Sequence, residues 1–365
     1  MSKLILEASE LHAKEFSENY SPISTDEMAE IFELDSPINL PFNLHKRNSP
    51  HAFCPDRTYH KFDRTLLARA FIASAENESI MLVGEKGTGK TSFAQQYHNR
   101  LGRPLFSING GPGLDEDVLI GRPTPIETES GMGLKDMAGR LMYGLKFGIP
   151  CCIDELSRIH DSVLYALNDI LSGGKLIPLK GMVLDPDVAP ATMLDCDHGL
   201  IVRHPLFRFW ATDNTGGKVD GDANFGQATI INAATRSRFC YLDVPFMSKV
   251  DEVSAIETML RSHAMYSGMI ASDIDRGIKR LGVPLMVDVA LRFRDAYRDG
   301  EVSDTVSMRE LLRWGKKAIW FDSLDHGFND GVMGALTEVD REFAVDAFSE
   351  TYSRKIELDS ELFAA

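Results

Sequence analysis

The segment from Gly84 to Thr91, GEKGTGKT, is the feature that most constrains the fold. It matches the pattern GxxxxGK[ST] and lies between a short apolar run, Ser79–Val83, and a helix-like stretch, Ser92–Leu101. Its three glycines allow backbone N–H groups to turn inward around phosphate oxygens, and the amino end of the next helix adds a partial positive charge. The sequence therefore predicts a strand, a phosphate-binding loop and a helix in succession, as in a parallel α/β sheet.

This loop predicts binding of ATP together with Mg²⁺. Lys90 would reach the β- and γ-phosphates, and the hydroxyl of Thr91 would be a ligand of Mg²⁺. The alternative, a glycine turn that arises by chance, is disfavoured because strand, loop and helix are all present. The predicted nucleotide-binding residues of the loop are Gly84, Glu85, Lys86, Gly87, Thr88, Gly89, Lys90, Thr91 and Ser92.

Two carboxylates, Asp154 and Glu155, follow a second apolar run that starts at Gly148. This pair predicts the hydrolytic half of the site. Asp154 would complete the Mg²⁺ shell through water, and Glu155 would polarise the attacking water.

A third apolar run ends just before Asn214. Its side-chain amide is able to orient water near the γ-phosphate. An equally good interpretation is that Asn214 only begins the glycine-rich turn at Gly216 and Gly217.

Three arginines are further candidates. Arg236 and Arg238 precede the apolar run Cys240–Val244, and Arg309 lies at the start of a late helix, next to an N-cap serine. Surface arginines are usually only solvated. In a ring ATPase, however, an arginine of the first pair can reach the γ-phosphate of the neighbouring subunit, and Arg309 can point a cation at the nucleotide.

Composition limits the other function classes. The 365 residues predict about two domains, and the net charge of −15 argues against general affinity for nucleic acid. No apolar run approaches the ~18 residues of a membrane span, and the first residues do not form a signal peptide, so a cytoplasmic location is expected. The five cysteines form no disulfide framework. A metal-like cluster, Cys196-Asp197-His198 with His204, lacks paired ligand spacing and is interpreted as a polar loop.

The order of P-loop, acidic pair, asparagine, arginine and late arginine resembles that of an AAA+ ATPase. More narrowly, the chain resembles the MoxR group and, within it, the ATPase subunit of aerobic cobalt chelatase (the CobS type). The stretches that carry this likeness are Ser24–Phe62, Gly139–Gly148 and Ala211-Thr-Asp-Asn-Thr215. The likeness covers about residues 24–246 and continues more weakly to about 320.

The resemblance implies roles for single residues. Asn214 matches the sensor 1 position, Arg238 the arginine finger and Arg309 the sensor 2 arginine. The family has Asp before its finger arginine where this chain has Ser237, so Arg236 stays a second candidate for the finger.

The resemblance also implies an architecture: an AAA+ P-loop core with a parallel sheet, followed by a helical lid. We expect an N-terminal extension and small module at 1–62, the core at 63–246, the lid at 247–325 and an acidic helical tail at 326–365. Two hairpins are expected, a helix 2 insert over Gly121–Met137 and a pre-sensor 1 hairpin within Leu176–His204.

The hypothesis is an ATP-driven homo-oligomeric ring, expected to be a hexamer, that remodels a partner protein. In the resembled family the partner often carries a von Willebrand A domain, and for cobalt chelatase the work is metal insertion into a corrin ring. A nucleic-acid-directed AAA+ motor is the alternative, and it would be stimulated by DNA or RNA. A kinase or GTPase is a third reading, for which no guanine-binding NKxD motif is evident. No membrane partner is expected.

Overall fold

The computed structural model describes residues 2–128, 131–174, 176–178, 200–217, 230–266, 268–354 and 356. Two compact units are present. The first comprises Met1–Gly84 and Lys90–Val244, and the second comprises Glu85–Gly89 and Pro245–Ala365. Cys196, Asp197 and His198 of the metal-like cluster, and most of the expected pre-sensor 1 hairpin, lie outside the described residues.

The first unit begins with a small module that precedes the α/β core. A two-stranded antiparallel sheet pairs Tyr20 with Arg47 and Ile23 with Leu44. The elements of this module are α1 (Ser2–Asn19), β1 (Tyr20–Ile23), α2 (Thr25–Phe32) and β2 (Leu44–Arg47).

The α/β core alternates strands and helices, as the sequence predicts. Its elements are α3 (Arg64–Ala75), β3 (Ser79–Val83), α4 (Lys90–Arg100), β4 (Phe106–Asn109), α5 (Glu116–Leu119), β5 (Gly121–Thr128), β6 (Gly131–Ala138), α6 (Arg140–Phe147), β7 (Cys151–Asp154), α7 (Asp161–Ala166), α8 (Asn168–Leu171), β8 (Leu176–Pro178), β9 (Leu200–Val202), β10 (Phe209–Asp213), α9 (Ala233–Arg236) and β11 (Phe239–Asp243).

A five-stranded parallel sheet in the order β11-β3-β10-β7-β4 is the centre of this core. Alternate residues of its strands enter different apolar clusters: Ile80 and Trp210 belong to one, and Met81 and Phe209 to the other. Because side chains alternate across a strand, the sheet is buried on both faces, as a parallel sheet requires. The predicted P-loop α/β fold is confirmed.

Two antiparallel pairs of strands lie outside this sheet. β5 and β6 pair in register from Gly121 opposite Ala138 to Thr128 opposite Gly131, so the segment expected as the helix 2 insert is a hairpin. Met132 and Met137 on it are exposed. β8 pairs with β9 at the base of the segment expected as the second hairpin.

The second unit is helical from α10 onward. Its helices are α10 (Lys249–Tyr266), α11 (Ala271–Leu281), α12 (Val283–Arg298), α13 (Met308–Trp320), α14 (Leu324–Gly331) and α15 (Glu338–Tyr352). Phe293, Trp314 and Phe348 are fully buried in its apolar core. A bidentate ion pair between Arg294 and Glu252, with N–O distances of 2.8 and 2.6 Å, is also buried. Within the described residues, no helix has the length and apolarity needed to cross a membrane.

Candidate functional site

The carboxyl ends of three neighbouring strands bring the predicted site residues together. β10 lies between β3 and β7, with Asp213 opposite Val83 and Ala211 opposite Ile153. The segments that follow these strands therefore leave the sheet at the same edge, which is where open α/β sheets bind ligands.

The loop after β3 has the backbone that a phosphate cradle needs. Gly87 and Gly89 have φ angles of +88° and +90°, which residues with a Cβ rarely adopt. Thr88 donates from both its N–H and its hydroxyl to the carbonyl of Glu85, at 3.4 and 3.1 Å. Within the second unit, to which these loop residues belong, Glu85 and Lys86 each form an ion pair; the partners are Arg298, at 3.1 Å, and Asp304, at 2.9 Å.

Lys90 is the first residue of α4, and its side chain is 8% exposed. Its ammonium donates to the carbonyl of Gly84 at 2.8 Å and to the side-chain oxygen of Asn214 at 2.7 Å. A buried ammonium requires such acceptors. The structure thus places the Asn214 side chain directly against the P-loop lysine, and its role at a bound γ-phosphate stays a prediction.

Thr91 and Asp154 form the second contact of the site. The hydroxyl of Thr91 donates to Asp154 Oδ1 at 2.8 Å, and the hydroxyl of Thr212 donates to the same oxygen. Hydroxyl and carboxylate oxygens are hard donors of the type that Mg²⁺ prefers, so this pair fits the ion. Thr212 also accepts a hydrogen bond from the backbone N–H of Glu155 at 3.1 Å, and sequence reasoning did not identify it as a site residue.

Glu155 has an unusual backbone conformation. Its φ of +54° lies in the left-handed region. This conformation is energetically unfavourable for residues other than glycine, and residues that adopt it occur often at functional sites. Its carboxylate accepts from the guanidinium of Arg158 at 2.6 Å and is 42% exposed. Gly110, after β4, donates to the carbonyl of Asp154 at 2.7 Å, and a Cβ there would lie 2.3 Å from that oxygen. Both loops therefore depend on special backbone geometry.

Asp213 holds the turn that carries Asn214. Its side chain is fully buried and accepts from the N–H and the hydroxyl of Thr215, both at 2.8 Å, and from the N–H of Gly217 at 3.3 Å. Its other oxygen accepts from the N–H of Ser157 at 2.8 Å, in the segment after β7. Asp213 thereby ties the two strand ends together, a role that sequence reasoning missed.

Ser92 contacts the N-terminal segment. Its hydroxyl lies 3.0 Å from Nδ1 of His60, a buried residue whose pKa is lowered to about 4, first by burial and then by the charge of Arg100. Further along α4, Gln96 accepts from the N–H of Thr58 at 3.0 Å. The side chain of Ser92 is thus engaged in bracing α4, and its nucleotide-binding role stays a prediction.

The two candidate finger arginines differ in how they are held. Arg238 donates to Ser172 at 2.7 Å, to Asn168 at 3.1 Å and to the carbonyl of Ala234 at 2.8 Å. Arg236 makes a longer hydrogen bond, 3.4 Å, to the carbonyl of Gly217. Arg238 immediately precedes β11, whose first residue pairs with Ser79, the first residue of β3, so it lies at the amino edge of the sheet.

Arg309 is exposed in the first turn of α13, which opens with a capping box between Ser307 and Glu310. Its role as a sensor stays a prediction. His204 of the metal-like cluster is buried against the ring of His12, with centroids 4.0 Å apart. The described part of the chain contains no group of three His, Cys, Asp or Glu residues arranged to hold a metal ion.

Comparison with known proteins agrees with this geometry. Residues 79–239 match the AAA domain of the dynein-related subfamily. The chain is 25% identical to the aerobic cobaltochelatase subunit CobS of a Sinorhizobium species, over 96% of this chain and 95% of that protein. It is 29% identical to the protein NorQ of Paracoccus denitrificans, over 34% of this chain and 45% of that protein.

A third relative is the mouse von Willebrand factor A domain-containing protein 8, which is 26% identical over 48% of this chain and 9% of that protein. Together these matches confirm the resemblance to the MoxR group of AAA+ ATPases and to its cobalt-chelatase subunit.

Proposed function

We propose that this chain, a nucleotide-binding AAA+ protein similar to the cobalt-chelatase ATPase subunit, hydrolyses ATP in a homo-oligomeric ring and uses the energy to remodel a partner protein. The observation that carries the proposal is the convergence of Lys90, Asn214, Thr91 and Asp154 at one edge of the sheet, with direct hydrogen bonds at 2.7 and 2.8 Å. Four residues from three separate segments meet as an ATPase site requires.

Each residue has a role that follows from its chemistry. Lys90 binds the β- and γ-phosphates in place of its present acceptors, and Thr91 and Asp154 would hold Mg²⁺. Mg²⁺ held by these two residues would supply positive charge that neutralises charge developing on the phosphate. Glu155, on release from Arg158, accepts a proton from the attacking water, and Asn214 orients that water.

The position of Arg238 supports a ring. Because β11 and β3 are parallel, the five paired residues from Ser79 to Val83 separate Arg238 from the P-loop edge by about 13 Å along the strands. An arginine at the amino edge is poorly placed to reach the phosphates of its own subunit. A head-to-tail ring would bring it to the site of the next copy, and we infer that the chain forms a closed ring, expected to be hexameric.

The partner class follows from similarity. The likeness to CobS spans nearly the whole chain, and a relative named for a von Willebrand A domain shares about half of it. We infer that the partner carries a von Willebrand A domain and that the assembly is of the metal-chelatase type. A net charge of −15 weighs against the alternative, a nucleic-acid-directed motor.

The test uses Glu155→Gln, which keeps the size of the side chain and removes the base. We expect this variant to bind a fluorescent ATP analogue like the unchanged protein and to release phosphate at least ~100-fold more slowly. Lys90→Ala is the control that loses binding. Tight ATP binding by Lys90→Ala, or full turnover by Glu155→Gln, would contradict the proposed site.

The same trapped variant tests the partner. Held with ATP, it is expected to retain a protein with a von Willebrand A domain from lysate of its own source, whereas Lys90→Ala does not. Recovery of nucleic acid instead would overturn the partner assignment and leave the ATPase site standing.

A further inference from the structure

A cavity of about 450 Å³ opens on the second unit, between the end of α10 and the second half of α13. Gly315 explains its place: a Cβ there would lie 2.8 Å from the side chain of Leu260, so α10 and α13 cross closely at this point. The residues around the cavity are His263, Arg313, Lys316, Lys317, Trp320 and Phe321. None of them belongs to the nucleotide site.

Two large aromatic side chains at the cavity are exposed. Trp320 is 54% exposed and Phe321 is 55% exposed, whereas the other two tryptophans of the chain, Trp210 and Trp314, are fully buried. Adjacent exposed aromatic rings are typical of contact surfaces, where aromatic residues are enriched.

The cavity is also positively charged. Arg313, Lys316 and Lys317 lie on little more than one turn of α13. Lys317 pairs with Asp330 at 3.4 Å, and among the described residues neither Arg313 nor Lys316 forms an ion pair. Although the net charge of the chain is −15, the surface around this cavity carries three cations beside two exposed aromatic rings. Such a surface is complementary to a ligand that is both anionic and apolar.

We propose that this cavity binds an acidic segment of a partner protein, which also packs an apolar side chain against the exposed ring of Trp320. A protein segment is favoured over a nucleic acid by the size of the site: Arg313 to Trp320 spans about 10 Å along α13, whereas single-stranded nucleic acids need a longer basic track. None of the residues that line the cavity belongs to the nucleotide site, so we expect the acidic segment to bind with or without nucleotide.

The test uses the full chain without nucleotide and a fluorescein-labelled peptide in which aspartates and glutamates surround one leucine. We expect binding that weakens as salt is added, and at least ~10-fold weaker binding of the same peptide with lysine in place of its acidic residues. Because Trp320 is the exposed tryptophan, the acidic peptide should also protect part of the tryptophan emission from quenching by acrylamide.

Variants locate the site. Arg313→Glu combined with Lys316→Glu is expected to weaken peptide binding at least ~10-fold, and Trp320→Ala, which leaves the charges in place, about 5-fold or more. Lys279→Glu is the matched control. It reverses one exposed cation in the same way, and it lies on α11, two residues after Gly277, which faces Ile319 of α13, so Lys279 points away from α13. It should change the affinity less than about 2-fold.

Three results would overturn the proposal: no binding of the acidic peptide, unchanged binding by both the charge-reversal variant and Trp320→Ala, or tighter binding of an oligothymidylate that the same variants abolish. Circular dichroism of each variant verifies that the helices are retained. These results are separate from the ATPase assays, because Glu155→Gln and Lys90→Ala should bind the peptide as the unchanged protein does.

Discussion

The ammonium of Lys90 lies 2.7 Å from the side-chain oxygen of Asn214, although the two residues are 124 positions apart in the chain. The lysine therefore has an internal acceptor before any phosphate arrives. We expect a γ-phosphate to compete with this amide oxygen for the cation, so that nucleotide binding and the position of the Asn214 side chain would be coupled.

Replacement of Asn214 by Ala separates these two roles. We expect the ATP affinity to change less than about 3-fold, because the cation keeps the carbonyl of Gly84 as a partner, and turnover to fall at least ~10-fold, because the attacking water loses its orientation. Fluorescent-nucleotide titration and phosphate release measure the two quantities. If Asn214 only begins the turn, Asn214→Ala will leave turnover near that of the unchanged protein.

If Arg238 acts at the site of the neighbouring subunit, two inactive variants should complement each other when mixed. Arg238→Ala should keep ATP binding and lose turnover by up to ~10³-fold, because the site of the neighbouring subunit would lose the cation that stabilises the transition-state charge. Mixing with Lys90→Ala subunits should restore part of the activity, since each Lys90→Ala subunit still donates its arginine.

Arg236→Ala is the matched control for this experiment, with an expected loss of less than ~10-fold. The reverse pattern, a large and rescuable loss only in Arg236→Ala, would assign the finger to Arg236. A large loss in both variants without rescue would contradict a trans arginine.

The buried pair of Arg294 and Glu252 predicts a large stability effect. Glu252→Gln leaves a guanidinium that is 1% exposed without its counter-charge, and we expect the second unit to lose about 3–5 kcal/mol of unfolding free energy. Asp275→Asn, which breaks the exposed pair with Arg261, should cost less than about 1 kcal/mol. Urea denaturation of the two variants measures both. Equal losses of unfolding free energy would contradict the prediction that the buried pair of Arg294 and Glu252 contributes more to stability than the exposed pair.

His60 predicts sensitivity to acid. Its pKa is lowered to about 4 in the folded chain, so the unfolded chain binds a proton first as the pH falls below about 6.5. Folding stability is therefore full above pH ~6.5 and decreases toward pH ~4, by at most about 3 kcal/mol from this residue. His60→Gln should flatten this decrease in urea denaturation between pH 7.5 and 5. His326→Gln, on the exposed side of α14, should not.

The parts of the site that could be predicted are those whose chemistry is local in the sequence. Two motifs directly follow an apolar run: the loop from Gly84 to Thr91, and the acidic pair Asp154 and Glu155. In each case a short stretch of sequence indicates both the strand and the functional groups at its end. Asn214 had two equally good interpretations; its contact with Lys90 supports a role at the site, and that role stays a prediction.

The parts that could not be predicted depend on partners far away in the chain. Thr212 acts on Asp154, 58 positions earlier, and Asp213 binds the N–H of Ser157, 56 positions earlier. Both contacts exist because β10 pairs with β7 in one particular register, which no local pattern specifies. The resemblance supplied Asn214 as a sensor, yet Asp213 stands where the family pattern has Ala, so the likeness could not supply its role.

The segment from Pro55 to Phe62 lies along α4 through hydrogen bonds from Asn99 to Pro55 at 2.7 Å and from Gln96 to Asp56 at 2.9 Å, and through the rings of Phe62 and Phe93. The same helix begins at the P-loop lysine. A mechanical load applied to the N-terminal module would therefore reach the helix that begins at Lys90. A force that pulls on the start of the chain would thus be transmitted to the edge of the sheet where Lys90 lies, and a rigid attachment of the module would restrain that edge.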